Sequence, residues 1–257
     1  MLKSKTVIVT GAASGIGAAT AAMAAASGAN VISIDVNEPA HHVGSFIQAD
    51  LSDRASIDRL IAQLPSGIDG LANIAGLPPT NPAPAVVKVN LVGLKYLTVN
   101  LIPKLNKGAS IVNLASLAGM AWADSKDAIE ASQTLEFENV DAFCKRHDIA
   151  GARSYFFSKE ALIVWTMQNR WTWRELGIRM NTVSPGPVDT PILKDFIETL
   201  GARAEEDMRT MDRPGTPADI APVVNFLLSD GSLWIRGTNV PVDGGMFSNV
   251  LCQIHGL

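Results

Sequence analysis

Two kinds of apolar pattern alternate along the chain. Short runs rich in β-branched and other apolar residues are separated by segments of helical length and spacing. The short runs predict strands at 6–10, 30–35, 45–50, 68–76, 109–116, 178–186 and 237–245. The intervening segments predict helices at 18–27, 57–64, 86–101, 158–175 and 217–228.

The predicted strands are apolar on both faces, so helices must cover both sides of a mostly parallel sheet. This arrangement is a doubly wound α/β architecture. With 257 residues, of which 47% are hydrophobic and 18% charged, the chain can bury a large core as a single domain, 1–257.

The composition limits the binding partners and the cellular compartment that we expect for this protein. A formal net charge of −4 provides no basic patch for nucleic acid or anionic lipid. No stretch reaches membrane-spanning length, and the apolar run near the first residue is too brief for a signal peptide. The two cysteines, Cys144 and Cys252, form no disulfide framework, which favours a reduced, cytoplasmic setting.

The segment "TGAASGIG" joins the first strand to a helix that starts near Ile16. Gly11, Gly15 and Gly17 allow the backbone to approach an anion, and the helix start supplies free N–H groups and a positive dipole end. Asp35 ends the next strand at the separation expected of a ribose-binding carboxylate. Dinucleotide binding is the favoured interpretation. A plain glycine turn, with an aspartate that caps the following turn, is the alternative.

Asp35 also indicates which dinucleotide binds. A carboxylate there accepts hydrogen bonds from ribose hydroxyls and repels the additional phosphate of NADP. Its neighbours Val36, Asn37 and Glu38 supply no cation to neutralise that phosphate. NAD is therefore the predicted cofactor.

A series of motifs continues along the chain. It comprises "NIAG" (73–76), "VNLVG" (89–93), a serine at 116 after "IVNLA", "YFFSK" (155–159), "SPGPVDTP" (184–191), "RPGTPADIA" and "VDGG". With the glycine loop, this series resembles that of the short-chain dehydrogenase/reductases over essentially the whole chain. The resemblance implies a Rossmann-like fold and hydride transfer between a nicotinamide and a small alcohol or ketone.

The resemblance assigns four catalytic residues. Tyr155 corresponds to the general acid/base, and Lys159, one helical turn later, is expected to lower the pKa of the phenol from its usual value of about 10. Ser116 is expected to hydrogen-bond the substrate oxygen. Asn90 corresponds to an asparagine whose backbone helps hold a water near the lysine. In isolation, each of these residues could instead be a turn former, a surface pair or a packed amide.

The same matching assigns the cofactor contacts. Asp50 and Leu51 are expected to flank the adenine, Asn73, Ala75 and Gly76 the adenosine side, and the segment 185–190 the nicotinamide end. The full predicted cofactor-binding set is Gly11, Ser14, Gly15, Ile16, Gly17, Asp35, Asp50, Leu51, Asn73, Ala75, Gly76, Tyr155, Lys159, Pro185, Gly186, Val188 and Thr190.

The chain departs from the family pattern by an insertion at 120–154, before the tyrosine. Its positions Val140, Phe143, Cys144 and His147 have helical spacing and predict an amphipathic helix. Similar insertions occur in bacterial 3α-hydroxysteroid dehydrogenase/carbonyl reductases and in coniferyl-alcohol dehydrogenases. The amino-acid sequence of this chain more closely resembles the second group.

The two phenylalanines inside "YFFSK" cannot share the face of Tyr155 on a helix. We expect Phe156 and Phe157 to pack against the inserted helix, and so to change or block a subunit interface that the family often forms there. Relatives with long insertions tend to be dimers rather than tetramers, so the resemblance favours a dimer.

The segment 191–213 has the length and pattern of a mobile lid over the substrate. Apolar residues of the lid and the insertion could line a pocket or belong to the core; they are Met120, Trp122, Ile192, Leu193, Phe196 and Ile197. An apolar aromatic or alicyclic alcohol is the expected substrate, coniferyl-alcohol-like before hydroxysteroid.

Two other classes of protein fit the sequence less well than a short-chain enzyme does. A zinc alcohol dehydrogenase requires a compact set of thiolates and imidazoles, which the two cysteines and four scattered histidines do not form, so no metal is expected. A non-catalytic NAD-binding sensor has no need of Ser116, Tyr155 and Lys159 together.

Overall fold

The computed structural model describes residues 1–200 and 211–257. Strands form where β-branched runs can be buried on both faces, and they assemble into one seven-stranded parallel sheet with the order β3-β2-β1-β4-β5-β6-β7. The strands are β1 Thr6–Thr10, β2 Asn30–Asp35, β3 Ser45–Gln48, β4 Ile68–Asn73, β5 Leu105–Leu114, β6 Arg179–Pro185 and β7 Asn239–Val242. The doubly wound α/β fold is confirmed.

Helices cover both faces of this sheet. In the described residues they are α1 Gly15–Ala26, α2 Arg54–Gln63, α3 Ala83–Val87, α4 Leu94–Leu101, α5 Lys126–Ala131, α6 Val140–Arg146, α7 Ala152–Gln168, α8 Pro191–Leu200, α9 Pro217–Leu228 and α10 Met246–His255. One buried apolar cluster joins the sheet to α2, α4, α7 and the insertion. A second cluster joins the opposite face to α1 and α9.

Strand order reverses between β1 and β4, because the chain adds β2 and β3 on one side of β1 and all later strands on the other. In sheets of this kind, ligands bind at the carboxyl ends of the strands next to such a reversal. The loops after β1, β4 and β5 meet at that edge, and they carry Gly11, Gly76 and Ser116.

Helices α1 and α2 begin three residues earlier than predicted, at Gly15 and Arg54, and two other predicted helices differ more from the structure. The predicted helix 158–175 is observed as α7, which begins six residues earlier at Ala152, immediately after Gly151 at φ +48°. It ends at Gln168, where the Asn169 side chain donates to the Trp165 carbonyl oxygen at 2.8 Å. The predicted helix 86–101 is interrupted by a π-helical turn, Lys88–Gly93, which lies between α3 and α4 and contains Asn90. Turns of this type are frequent at functional sites.

One helical stretch, Ala83–Lys104, is long and apolar enough by length and composition to cross a membrane. In the most apolar part of this stretch, 56% is buried inside the protein. Val87, Leu97 and Leu101 are fully buried in the cluster that includes α7. The apolar surface of this stretch is therefore that of a core helix.

The insertion is helical and packs against the body of the fold. It contains α5 and α6, and Val140, Phe143 and Cys144 form the buried face of α6. The amphipathic helix predicted there is confirmed. The ammonium of Lys95 on α4 donates to the carbonyl oxygens of Ser132 and Gln133 at 3.0 Å each, at the end of α5, and burial lowers the pKa of Lys95 to about 8.

Phe157 anchors α7 to the insertion. Its side chain is fully buried, and its ring centroid lies 5.5 Å from that of Phe143 on α6. The Arg153 guanidinium lies 5.8 Å from the same ring and forms a two-pronged ion pair with Glu160, at 2.9 and 2.7 Å. The prediction that this side of the helix packs against the inserted helix is confirmed for Phe157, whereas Phe156 is only half-buried.

Candidate active site

Tyr155 and Lys159 lie one turn apart on α7. The Lys159 ammonium nitrogen is 5.4 Å from the centroid of the Tyr155 ring. Lys159 is 4% exposed, and its ammonium donates to the Leu114 carbonyl oxygen at 2.7 Å. Since Leu114 is the last residue of β5, this bond fixes the catalytic helix against the carboxyl edge of the sheet.

Ser116 follows β5 and begins a short 3₁₀ turn, Leu117–Gly119. Its hydroxyl accepts a hydrogen bond from the Ala118 N–H at 3.2 Å, and it lies near enough to the Tyr155 side chain to act on the pKa of the phenol. Gly119 allows this close packing, because a Cβ there would lie 2.7 Å from the Lys159 carbonyl oxygen on α7. The structure thus brings Ser116, Tyr155 and Lys159 together.

Burial is the largest influence on the pKa values of Tyr155 and Lys159. It raises the pKa of Tyr155 to about 12, against which the hydrogen bond with Ser116 acts in the lowering direction. Burial also lowers the pKa of Lys159 to about 8. The net fall in the phenol pKa that we expected from the lysine is not found, because burial outweighs the charge of the ammonium, which lies beside the ring and donates to Leu114. At neutral pH the phenol is a proton donor.

Asn90 holds the loop that follows β4. Its Oδ1 accepts from the Leu77 N–H at 2.7 Å, and its Nδ2 donates to the Leu77 carbonyl oxygen at 3.0 Å. A Cβ on Gly76 would lie 3.3 Å from the Asn90 Oδ1 and 3.7 Å from the Lys159 Nζ. Asn90 is therefore adjacent to the catalytic group, and its side chain has a structural task. The predicted role of its backbone stays a prediction.

The glycine loop has the shape of an anion cradle. Gly11 and Gly15 have φ of +70° and +53°, a region that favours glycine. A Cβ on Gly17 would lie 1.9 Å from the Gly11 carbonyl oxygen, so only glycine fits there. Ser14 is the extended residue before α1, and Ile16 lies in its first turn, where backbone N–H groups point outward from the helix start. This geometry fits a dinucleotide diphosphate.

The Asp35 carboxylate lies at the side of this cradle. One oxygen accepts from the Ala13 N–H at 3.0 Å and the other from the Asn37 N–H at 2.9 Å. The carboxylate thus caps the turn that follows β2 and also contacts the glycine loop. Two oxygens offer about four acceptor positions, so acceptors remain for ribose hydroxyls.

Three further predicted cofactor contacts, Asp50, Leu51 and Asn73, differ in exposure. Asp50 is exposed and accepts from the Ser52 N–H, whereas Leu51 is buried. Asn73 is 1% exposed, and its amide donates to Thr98 at 2.9 Å and Asn113 at 2.8 Å. The Asn73 side chain therefore ties β4 to β5 and α4 within the core, which leaves its backbone for the predicted contact with the adenosine side, and that contact stays a prediction.

The segment predicted to meet the nicotinamide end passes over the glycine loop. Thr190 Cγ2 would lie 3.3 Å from a Cβ on Gly15. The Gly186 N–H donates to the Val242 carbonyl oxygen, and Val188 is buried in a bridge to Gly215. These contacts bring Thr190 against the glycine loop and tie Gly186 to β7. The cofactor roles of Pro185, Gly186, Val188, Thr190 and Ala75 stay predictions.

One residue at the cleft was missed by sequence reasoning. The Thr10 hydroxyl accepts from the N–H groups of Ile74 and Ala75, at 3.0 and 3.1 Å, and so joins the loops after β1 and β4. Its signal in the sequence is a small hydroxyl directly before Gly11, at the end of a buried strand.

The predicted lid is described in part, because residues 201–210 of the segment 191–213 lie outside the described residues. Its first helix, α8, carries Phe196, whose ring packs edge-to-face against Tyr155 with centroids 4.7 Å apart and an interplanar angle of 80°. Met120 and Trp122 are half-buried and pack against the larger core cluster, whereas Ile197 is 37% exposed. Of the predicted pocket residues, Phe196 has the direct contact with the catalytic group.

Among residues 1–200 and 211–257, no group of three or more histidine, cysteine, aspartate and glutamate side chains could hold a metal ion.

Comparisons with known proteins agree with the fold. The family description "short chain dehydrogenase" matches residues 5–132, and "Enoyl-(Acyl carrier protein) reductase" matches residues 139–247. A coniferyl-alcohol dehydrogenase of Pseudomonas sp. (strain HR199 / DSM 7063) is 42% identical over 96% of this chain and 98% of its own. A 3-alpha-hydroxysteroid dehydrogenase/carbonyl reductase of Comamonas testosteroni is 30% identical over 93% of this chain and 95% of its own.

A solved structure has the same fold over nearly the whole chain. The 3-alpha-hydroxysteroid dehydrogenase from Pseudomonas sp. B-0831, complexed with NADH, aligns with a TM-score of 0.83 at 28% identity, over 96% of this chain and 98% of its own. Fold, site and relatives together define an oxidoreductase that uses a nicotinamide cofactor. The chain belongs to the short-chain dehydrogenase family.

Proposed function

We propose that the protein interconverts a hydroxyl and a carbonyl group on an apolar aromatic alcohol of the coniferyl-alcohol type, with NAD as cofactor. The observation that carries this proposal is the grouping of Ser116, Tyr155 and Lys159 at the sheet edge that also holds the glycine cradle. Two further facts support an aromatic substrate: the Phe196 ring against Tyr155, and the 42% identity with a coniferyl-alcohol dehydrogenase. A 3α-hydroxysteroid or related ketone is the second candidate, supported by the 30% identity.

Ser116, Tyr155 and Lys159 each have a separate role in the proposed reaction. The hydroxyls of Ser116 and Tyr155 hydrogen-bond the reacting oxygen and orient it. In the reducing direction, the Tyr155 phenol donates its proton to the developing alkoxide; in the oxidising direction, its phenolate form accepts the alcohol proton. Bound nicotinamide supplies the hydride donor or acceptor. Lys159 holds positive charge beside the phenol and stabilises the phenolate that forms in the reducing direction.

NAD is proposed over NADP because of the groups that surround the ribose position. Asp35 keeps a carboxylate next to the glycine loop, where an additional phosphate would be repelled. Glu38 lies nearby in the sequence, and its carboxylate is 3.3 Å from the His42 imidazole. Comparing turnover with NAD and NADP in the assay described below tests this choice.

We also propose an intracellular homodimer. Leu233 and Trp234, just before β7, are 56% and 98% exposed, and apolar side chains this exposed are typical of interaction surfaces. Light scattering measures the oligomeric state directly, and a monomer or a tetramer would contradict this part of the proposal.

The catalytic proposal is tested with a panel of alcohols, including coniferyl alcohol and a 3α-hydroxysteroid, monitored through NADH absorbance. Tyr155→Phe removes only the phenol oxygen, so we expect turnover to fall at least about 100-fold while the NADH dissociation constant stays within about twofold. Phe156→Leu, next on the helix but on another face, is the matched control. If the wild type binds NADH and oxidises or reduces no member of the panel, a non-catalytic sensor is favoured instead.

A further inference from the structure

The approach to the Tyr155 hydroxyl is bordered by two side chains from different elements. The Ser116 hydroxyl, after β5, lies near enough to the phenol to act on its pKa. Phe196, on α8, packs edge-to-face against the phenol ring with centroids 4.7 Å apart. A substrate whose oxygen reaches Ser116 and Tyr155 must therefore extend its carbon skeleton past the Phe196 ring.

A second contact holds α8 across the cleft. The Thr80 hydroxyl, in the loop after β4, donates to the carboxylate of Asp195 at 2.8 Å. Asp195 directly precedes Phe196, so this bond limits how far the aromatic ring can move from Tyr155. Ile197, the next residue, is 37% exposed, which shows that Phe196 and not its neighbour lies on the inner side of the helix.

From these contacts we infer that Phe196 is a specificity-determining residue, which selects substrates that carry a flat unsaturated group next to the reacting carbon, and that Thr80 and Asp195 position it. The inference rests on the proposed function and adds the residue that selects the substrate class. Aromatic pairs gain stabilisation beyond the area they bury, and they prefer offset or edge-to-face contacts that a planar substituent can adopt. A puckered saturated ring lacks the π face and is thicker, so it gains less beside Phe196.

The test compares cinnamyl alcohol with 3-cyclohexylpropan-1-ol, which have the same carbon skeleton apart from unsaturation. Their intrinsic reactivities differ, but this difference cancels when each variant is compared with the wild type. Phe196→Leu is expected to lower kcat/KM for cinnamyl alcohol about tenfold, and for the saturated alcohol about twofold or less. Phe196→Tyr keeps the aromatic face and should retain the preference.

The positioning role has its own variant. Thr80→Val replaces the hydroxyl with a methyl group of similar size, and we expect it to reduce the preference for cinnamyl alcohol about threefold, a smaller effect than that of Phe196→Leu. Glu198→Gln, an exposed position on α8, is the matched control and should leave both substrates unchanged. If Phe196→Leu lowers kcat/KM equally for both alcohols, or leaves both values unchanged, the residue does not select the substrate and the inference is overturned.

The proposed function and this inference can fail separately. A wild type that turns over both alcohols, with a preference that Phe196→Leu leaves unchanged, overturns only the inference. If it turns over neither alcohol, the proposed function fails, and calorimetry on the protein with NADH then compares cinnamamide with 3-cyclohexylpropanamide as ligands. The inference survives that result only if the wild type binds cinnamamide more tightly and Phe196→Leu loses the difference.

Discussion

Lys159→Met is expected to stabilise the protein at pH 7 while it impairs catalysis. Burial lowers the pKa of Lys159 from 10.5 to about 8, so the folded protein bears the cost of a buried charge at neutral pH. At about 1.4 kcal/mol per pKa unit, this cost is about 3 kcal/mol. Methionine has a similar unbranched shape and no charge, but it leaves the Leu114 carbonyl without its donor, which costs about 1 kcal/mol. The expected net gain is about 2 kcal/mol in the free energy of unfolding.

The gain depends on pH in a defined direction. Below pH 8, Lys159 is charged in both the folded and unfolded protein, and the full cost is present. Between about pH 8 and 10.5 the folded state releases its proton first, and stability rises wherever the unfolded state binds more protons. The wild type therefore recovers about 2 kcal/mol from this residue by pH 9.5, and the advantage of Lys159→Met falls to near zero.

Urea unfolding measures this effect through the fluorescence of the five tryptophans. Wild type and Lys159→Met are compared at pH 7 and pH 9.5, with Lys107→Met, an exposed lysine on β5, as the matched control. The control should change stability by less than about 0.5 kcal/mol at both values. A Lys159→Met protein less stable than the wild type at pH 7, or a gain that persists unchanged at pH 9.5, would refute the assignment of a buried, destabilising charge.

Two further substitutions test the contact between Phe157 and the insertion, and the glycine loop. Phe157→Ala removes a fully buried ring that contacts Phe143, so we expect the free energy of unfolding, measured with urea, to fall by about 3–5 kcal/mol. Phe156 is half-buried, so Phe156→Ala should cost at most about half of that, and equal losses would contradict the packing described for α7. Gly17→Ala introduces a Cβ that would lie 1.9 Å from the Gly11 carbonyl oxygen, and fluorescence titration should find NADH bound at least about tenfold more weakly. Ala22→Gly, on the exposed side of α1, costs helix stability of about 1 kcal/mol and should leave that affinity unchanged.

The strand pattern and the site motifs could be predicted because they depend on local chemistry. Runs such as 6–10 and 30–35 are β-branched and apolar on both faces, and only burial inside a parallel sheet accommodates them. Helix α9 was predicted with its observed bounds, since Thr216 and Asp219 form a capping box at its start. The glycine loop and the Tyr155–Lys159 spacing are likewise local features of the sequence, set by what a backbone turn and one helical turn allow.

Tertiary structure alone decided the properties that depend on residues distant in sequence. The pKa of Tyr155 rises to about 12 because the folded chain, including the Phe196 ring of α8, covers the phenol, which no spacing within "YFFSK" reveals. Asn73 faces the core because Thr98 and Asn113 meet it there. Phe196 lies against Tyr155 only because α8 folds back across the cleft and Asp195 reaches Thr80. The sequence by itself determined which groups can do the chemistry, whereas the folded arrangement decided their solvation and what can approach them.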